Sequence, residues 1–139
     1  MGPYMSSDEV LNKVTTIERC MKRVKEVYED NPKSLFDFTK QDSIILNIQR
    51  ACEASIDLAM HIVSIHKLGL PQTSREAFDL LEKHEYINAQ TAKDMKSMIG
   101  FRDVAIHDYQ KLNLDIMQGI IEHYLEDFIQ YTKQIVKVL

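Results

Sequence analysis

Residues that interrupt regular structure are scarce in this chain of 139 residues, which has no tryptophan, four glycines and three prolines. So few breakers favour long regular elements, and the spacing of the apolar residues makes those elements helices. The strict alternation of polar and apolar residues that predicts strands is missing, and so is any internal repeat. The length suits a single domain that can bury a hydrophobic core of its own.

Positive charge is also in short supply, because 17 Lys and Arg residues face 21 Asp and Glu residues and leave a net charge of −4. This is the wrong sign for a protein that coats nucleic acid non-specifically, although one local basic site remains compatible with it. The two cysteines, Cys20 and Cys52, lie on predicted apolar faces without a CxxC spacing. We therefore expect buried, reduced thiols in a cytosolic protein.

Membrane and secretory signals are missing as well. No apolar run approaches the length of about 18 residues that a membrane span needs. The N-terminus lacks the basic and then apolar pattern of a secretory signal. These features predict a cytoplasmic protein without a membrane partner.

The spacing of the apolar residues predicts five helices, three of them long. Their predicted ranges are about 8–29, 41–68, 74–83, 88–107 and 114 onward.

Capping signals set the predicted ends of these helices. Capping-box pairs precede three helices, an asparagine caps the last one, and a glycine is the expected C′ residue of the second. In chain order these are Ser6 with Glu9, Thr39 with Asp42, Gly69, Thr73 with Glu76, and Asn113.

Long helices with short connections predict an all-α, up-and-down bundle of four main helices, with the short helix of residues 74–83 as a decoration. We expect residues 1–6 to be disordered or left over from expression, and residues 7–139 to form one domain. In the connection after the first helix, Phe36 and Phe38 are expected to plug one end of the core.

Four polar side chains gather near the end of the fourth helix, in "RDVAIHDY": Arg102, Asp103, His107 and Tyr109. Asp103 and His107 are four residues apart, so on a helix the carboxylate can orient the imidazole and fix its tautomer. Arg102 and His107 are five residues apart, about 140° around the helix. A long Arg side chain, a helix that ends at His107, or a second subunit would bring them together, and the spacing does not choose among these.

These residue types suit phosphoryl transfer on RNA. Histidine titrates near neutral pH and serves as a general base or acid. The planar guanidinium of arginine matches a phosphate and stabilises growing negative charge. Tyr109 can donate to a phosphate oxygen or stack on a base. The alternative is that these side chains form a polar network at the edge of an ordinary bundle.

Three further polar residues, Glu53, Asp57 and His61, follow one another at four-residue intervals along the second helix. Glu53 and Asp57 are candidates for lining a cleft opposite Arg102 and His107. The alternative is a polar seam or a solvated face.

Signals for metals and cofactors are weak. A di-metal bundle needs Glu-x-x-His pairs on facing helices, and none occurs in the sequence. No glycine-rich phosphate loop is present either. We therefore expect no metal site and no cofactor.

Taken together, the Arg-x4-His-x-Tyr motif, the helix segment "LNIQRACEASIDLAMHI" and the connector "GLPQTSREAFDLL" resemble the HepT-like toxins of the HEPN superfamily. The resemblance covers most of residues 8–130. Toxins of this family are encoded beside a minimal nucleotidyltransferase, MntA, which acts as the antitoxin.

The resemblance implies a metal-independent endoribonuclease toxin of a type VII-like toxin–antitoxin pair. Arg102 and His107 match the family's catalytic pair, and Asp103 matches the polar residue that commonly follows the arginine. Tyr109 matches the tyrosine that the MntA partner modifies with AMP, which silences the toxin. The resemblance also implies a homodimer in which the two motifs face each other and act on RNA, with transfer RNA and messenger RNA both open as substrates.

Two other functions remain compatible with the same sequence. One is a non-catalytic helical module that binds the nucleotidyltransferase. The other is a structural bundle or adaptor without any role on RNA, in which the spacing of the motif would be accidental.

Overall fold

A computed structural model describes the backbone of residues 3–107 and 113–139, and the side chains of residues 8–105 and 113–139. The regular structure of the part described is all helical and contains no strand, which confirms the predicted all-α bundle. Its α-helices are α1 Pro3–Tyr28, α2 Phe38–Ile65, α3 Ser74–Lys83, α4 Ala89–His107, α5 Leu114–Gly119 and α6 Leu125–Lys137. A 3-10 helix, Pro32–Phe36, links α1 to α2, and a π-helical turn, Ile120–Tyr124, joins α5 to α6. Among these helices, none combines the length and the apolar character that a membrane span requires.

Helices α1 and α2 form an antiparallel pair. Glu9 Oε2 lies 2.8 Å from His61 Nδ1, and Lys13 Nζ lies 3.3 Å from Asp57 Oδ2. A step of four residues up α1 thus matches a step of four residues down α2. The predicted apolar stripe of α1 is buried along its whole length: Val10, Val14, Ile17, Met21, Val24 and Tyr28.

The short helix α3 has the predicted bounds, but it is part of the core. Its Ala77, Phe78 and Leu81 are fully buried. The ring of Phe78 packs edge-to-face on Tyr131 of α6 with centroids 5.5 Å apart, and the Tyr131 hydroxyl donates to the carbonyl of Ser55 at 2.8 Å. The prediction that this helix decorates the bundle is therefore wrong, because its three inward residues fill the space beside α2 and α6.

Two helices begin earlier than predicted. Helix α1 starts at Pro3, so Ser6 lies inside the helix and is not its cap. Proline is well tolerated in a first turn, because its missing N–H has no intrahelical partner there. Helix α2 starts just after Asp37, whose carboxylate accepts from the backbone N–H of Lys40 at 3.2 Å. Thr39 is therefore an interior residue, and the cap predicted there is wrong.

The connection before α2 also corrects a prediction. Phe36 and Phe38 are 72% and 78% exposed, so they do not plug the core. The tighter turn of the 3-10 helix directs Leu35 inward instead, and Leu35 is 2% exposed.

The C-terminus of α2 is a Schellman motif centred on Lys67, whose φ of 55° lies in the left-handed region. The N–H of Leu68 donates to the carbonyl of Val63 at 3.0 Å, and the N–H of Lys67 donates to that of Ser64 at 3.3 Å. The C′ residue is thus Lys67, and the prediction of Gly69 in that role is wrong.

The remaining predicted helix starts are confirmed. In each case the side chain of the residue before the helix accepts a hydrogen bond from a backbone N–H of the first turn. The pairs are Thr73 with Glu76 at 3.2 Å, Asn88 with Thr91 at 2.8 Å, and Asn113 with Asp115 at 2.7 Å.

Candidate functional site

Arg102 is placed by the inward face of α4. The residues three, four and seven positions before it, Ile99, Met98 and Met95, are buried, and so is Ala105 three positions after it. Arg102 therefore lies within an apolar stripe, and its side chain is only 23% exposed. Such packing holds a long side chain that would otherwise sample many rotamers.

Two carboxylates flank the guanidinium of Arg102. Its Nη1 lies 4.0 Å from Glu53 Oε1 on α2, and its Nε lies 3.5 Å from Asp103 Oδ1. Neither contact is a well-formed hydrogen bond, and the buried Nε has no hydrogen-bond partner among the residues that the structure describes. Among the described residues, the cation is thus held in place by charge while its Nε donor stays unused, which suits a group that must still bind an anion.

Cys52 lies beside this site but is not a nucleophile. Its Sγ is 3.5 Å from the carbonyl oxygen of Met98. Burial raises the pKa of Cys52 to about 12, although the charge of Arg102 works in the opposite direction. A thiol with this pKa stays protonated near neutral pH. Cys20 is also buried and unpaired, so the prediction of buried free cysteines is confirmed.

The structure separates the three polar residues of α2. Glu53 contacts Arg102, whereas Asp57 and His61 pair with the α1 side chains described above. Within the described part of the chain, the buried Nε2 atom of His61 has no hydrogen-bond partner. Asp57 and His61 therefore belong to the seam between α1 and α2, and a role of Asp57 in lining a cleft remains a prediction.

His107 is the last residue of α4. Its side chain lies outside the described residues, as do residues 108–112, which include Tyr109. The predicted contact between Asp103 and His107 and the convergence of Arg102 with His107 therefore stay predictions. Among the described residues of the motif, Asp103 contacts Arg102.

Metal-ligand chemistry finds little support in the described residues, where no three His, Cys, Asp or Glu side chains are close enough to share an ion. The ring nitrogen Nδ1 of His66 lies 2.5 Å from the hydroxyl of Tyr86. His66 thus faces α3 and its following turn rather than the side of α2 that meets Arg102.

A groove that the sequence did not reveal has a volume of about 670 Å³. It runs between α4 and the α5–α6 arm, which consists of α5, α6 and the π-helical turn that joins them. We call it the acidic groove and define it by Met98, Phe101, Val104, Ile116 and Tyr124, with two aspartates, Asp94 and Asp127. Burial raises the pKa of Asp127 to about 6, and the charges of Asp94 and Glu126 add to the effect. Asp94 and Asp127 lie on different helices with no periodic relation between them, so no sequence signal joins them.

The sequence of this chain matches a known protein family. Residues 17–135 match the family described as Ribonuclease HepT-like. The chain belongs to this family. This match confirms the predicted family. The matched range also contains the whole Arg-x4-His-x-Tyr motif.

Two characterised HepT-like relatives are nucleases. The chain is 49% identical over 125 residues, 90% of this chain and 94% of the relative, to the mRNA nuclease HepT of Shewanella oneidensis. It is 30% identical over 88 residues, 63% of this chain and 60% of the relative, to the tRNA nuclease HepT of Aphanizomenon flos-aquae.

Solved HepT-like structures share the bundle. A tri-AMPylated HEPN toxin of Shewanella oneidensis in complex with an MNT antitoxin superposes with a TM-score of 0.88 at 47% identity, over 95% of this chain and 98% of that chain. A toxin–antitoxin structure with AMP-PNP superposes with a TM-score of 0.89 at 46% identity, over 95% of this chain and 99% of that chain.

Proposed function

We propose that this HepT-like chain is an endoribonuclease toxin that cleaves RNA without a metal ion and is silenced by a nucleotidyltransferase antitoxin. The observation that carries the proposal is the guanidinium of Arg102, which is held within a buried stripe between two carboxylates, with no hydrogen-bond partner for its buried Nε among the described residues. The 49% identical mRNA nuclease supports the same activity. Such an enzyme acts where RNA is found, in the cytoplasm.

The proposed reaction is attack of a ribose 2′-oxygen on the adjacent phosphorus. His107 takes the proton of the 2′-hydroxyl as general base, the new O2′–P bond forms, and the P–O5′ bond breaks. A second histidine returns a proton to the leaving 5′-oxygen. The products are a 2′,3′-cyclic phosphate and a free 5′-hydroxyl, and no oxidant or metal is consumed.

Arg102 stabilises the negative charge that builds on the non-bridging phosphate oxygens. Asp103 supports it, since its carboxylate restrains Nε of the guanidinium. Glu53, and further along the helix Asp57, would line the approach to this site. An RNA phosphate must compete with these carboxylates, so binding should be local and moderately sensitive to salt.

A homodimer resolves the geometric problem of Arg102 and His107 lying about 140° apart on one helix. Two motifs that face each other across an interface pool two arginines and two histidines. One histidine then acts as base and the other as acid, as the proton balance requires.

The proposed control is transfer of AMP from ATP to the hydroxyl of Tyr109 by the antitoxin, with release of pyrophosphate. The HEPN toxin in one similar solved complex is itself tri-AMPylated. A bulky anion near Arg102 would occupy the cation that the RNA phosphate needs and would block the cleft.

The test uses purified protein that intact mass shows to be unmodified, incubated in EDTA with a transfer-RNA pool and with a messenger RNA. We expect wild type to cut RNA and leave 2′,3′-cyclic ends. His107→Ala should lose at least about a hundredfold in rate, because it removes the proton transfer. His84→Ala, which removes an exposed histidine that contacts the carbonyl of Leu68, is the matched control and should cut normally.

Light scattering should show that the His107→Ala protein has the same mass in solution as wild type. If His107→Ala cuts RNA as fast as wild type, the proposed mechanism is wrong. If unmodified wild type cuts neither RNA, the chain is a non-catalytic module that binds the nucleotidyltransferase.

A further inference from the structure

A second groove, between α1 and α2, gathers positive charge in a chain whose net charge is −4. Its volume is about 430 Å³. We call it the basic groove and define it by the charged residues that line it, which are Arg19, Lys22, Arg23 and Glu26 of α1 and Arg50 of α2. All five are exposed, and four cations thus share the groove with a single carboxylate.

Most of this charge is not neutralised within the fold. Arg23 Nη1 lies 3.7 Å from Glu26 Oε2, one turn further along α1. Among the described residues, Arg19, Lys22 and Arg50 make no ion pair. Arg19 precedes Lys22 and Arg23 by three and four residues, a spacing at which like charges destabilise a helix. An anion bound in the groove would relieve this repulsion.

The small side chain of Cys20 forms the floor of the groove. The pair of Lys13 with Asp57 sets the register of the two helices, and seven residues further along α1 and back along α2 that register places Cys20 opposite Arg50. Burial raises the pKa of the Cys20 thiol, and the charge of Arg50 works in the opposite direction. The positive charge of the groove thus reaches its floor.

The lining of the groove suits a phosphate backbone better than a protein surface. Apart from the buried Cys20, the described residues that line it are charged or polar, with Thr16 and Asn47 as the uncharged polar side chains. Protein interfaces are built on apolar and aromatic anchors, and the groove offers no pocket of that kind. The planar guanidinium of arginine, in contrast, matches a phosphate with two hydrogen bonds.

The basic groove is continuous with the site around Arg102. Arg50 precedes Glu53, the α2 residue that contacts Arg102, by three positions, a rise of about 4.5 Å along the helix. Besides the burial that raises it most, the pKa of Cys52 responds to the charges of both Arg102 and Cys20. The floor of the groove and the Arg102 site are therefore neighbours.

We propose that the basic groove binds the phosphate backbone of single-stranded RNA where the strand leads away from Arg102, first at Arg50 and then at Arg19 on the facing helix. This inference rests on the proposed function, because that function supplies the RNA. Contacts to phosphates carry no sequence information, so the groove would add affinity and hold the strand without selecting its bases.

The test measures binding of the full chain to a fluorescent 2′-O-methyl RNA of about 12 nucleotides, which lacks the attacking hydroxyl and is not cut. Fluorescence anisotropy is followed at several salt concentrations. The groove variant is Arg19→Gln with Arg50→Gln, and Arg19→Lys with Arg50→Lys keeps the charge. The matched control, Lys83→Gln with Lys133→Gln, removes two exposed cations from α3 and α6.

We expect the glutamine variant to bind at least about tenfold more weakly at low salt, and its slope of log affinity against log salt to be shallower by about 1.4, because two phosphate contacts are lost. The lysine variant should keep the wild-type slope, and the control should match wild type in both quantities. Circular dichroism should show the same helix content in every variant.

Three results would overturn the basic groove as an RNA site. One is an unchanged affinity and slope in the glutamine variant. Another is an equal loss in the control, which would mean that only the total charge matters. The third is weaker binding of the nucleotidyltransferase with RNA affinity intact, which would assign the groove to an acidic protein surface.

Failure of the groove and failure of the proposed function are distinguishable with unmodified RNA. If wild type cuts RNA and the glutamine variant binds as tightly as wild type, the groove fails and the ribonuclease stands. If wild type cuts no RNA but binds it with the expected dependence on Arg19 and Arg50, the ribonuclease fails and the groove stands.

Discussion

At the scale of single residues, the candidate site depends on how strongly the neighbours of Arg102 compete with a phosphate. Glu53 stands 4.0 Å from Nη1, too far for a hydrogen bond that would orient the guanidinium. Its main effect is therefore its charge. A half-exposed carboxylate at this distance changes the free energy of binding by about 0.5–1 kcal/mol.

Glu53→Gln should therefore lower KM for RNA about twofold to fivefold with little change in kcat, because the charge is removed and the shape is kept. The measurement is steady-state cleavage of a short RNA at low salt. Glu18→Gln, at an exposed position on α1, is the control for a lost surface charge. A fall in kcat would instead mean that Glu53 positions Arg102.

Asp127 gives a prediction about pH. Its pKa rises from 3.8 to about 6 in the fold, with Asp94 on α4 and Glu126 on α6 as the facing charges. The folded protein thus binds this proton more tightly than the unfolded chain does, so the group destabilises the fold as pH rises through 4 to 6. Above that pH window, ionised Asp127 lowers the free energy of unfolding by its full amount. Below the window, the carboxyl is protonated in both states and this destabilisation disappears.

Asp127→Asn should raise the free energy of unfolding at pH 7 by about 1 kcal/mol, a value reduced for solvent screening of this partly exposed group. The gain should vanish below about pH 4, where the wild-type carboxyl is protonated in both states. Urea titrations at pH 4 and pH 7 measure it. Destabilisation at pH 7 would show that the carboxylate has a stabilising partner.

At the scale of elements, two helices end in Schellman motifs without glycine at C′. Lys67 and Glu85 adopt φ values of 55° and 62°. After α3, the N–H of Tyr86 donates to the carbonyl of Leu81 at 2.8 Å, as Leu68 does to Val63 after α2. An L-residue in this conformation costs about 1–2 kcal/mol, so the hydrogen bonds and the packing of the following residues outweigh local preference.

Lys67→Gly should stabilise the protein by about 0.5–1 kcal/mol. The relief of left-handed strain exceeds the entropy that glycine adds to the unfolded chain. The urea midpoint measures the change. Lys67→Ala, which retains a Cβ, is the control and should bring no gain. Equal midpoints for the Gly and Ala variants would contradict the strain at this position.

At the scale of the whole molecule, the bundle gives its two sides different chemistry. On one side, α2 and α4 bring Glu53, Arg102 and Asp103 together. On the other, α4 and the α5–α6 arm enclose the acidic groove. A single helix, α4, thus contributes residues both to the proposed RNA site and to the acidic groove.

The helical class, the family and most element bounds could be predicted because they depend on local patterns. The stripe of α1, the bounds of α3, the start of α4 near Asn88 and the caps at Thr73 and Asn113 are examples. The wrong predictions concern residues whose burial is set by neighbouring elements and not by the local sequence pattern. Phe36 and Phe38 are as apolar as any core residue, yet the 3-10 helix sends Leu35 inward instead.

The sequence by itself determined the motif, because Arg102, Asp103, His107 and Tyr109 lie within eight residues. Together with the segment of the second helix and the connector that follows it, this motif indicated the family. Only the tertiary structure decided which distant residues meet them. Glu53 reaches Arg102 while Asp57 and His61, one and two turns further along the same helix, turn to α1. The acidic groove joins Asp94 to Asp127 across two helices. Periodicity specifies the inward face of a helix, whereas the packing of whole helices sets which outward side chains become neighbours.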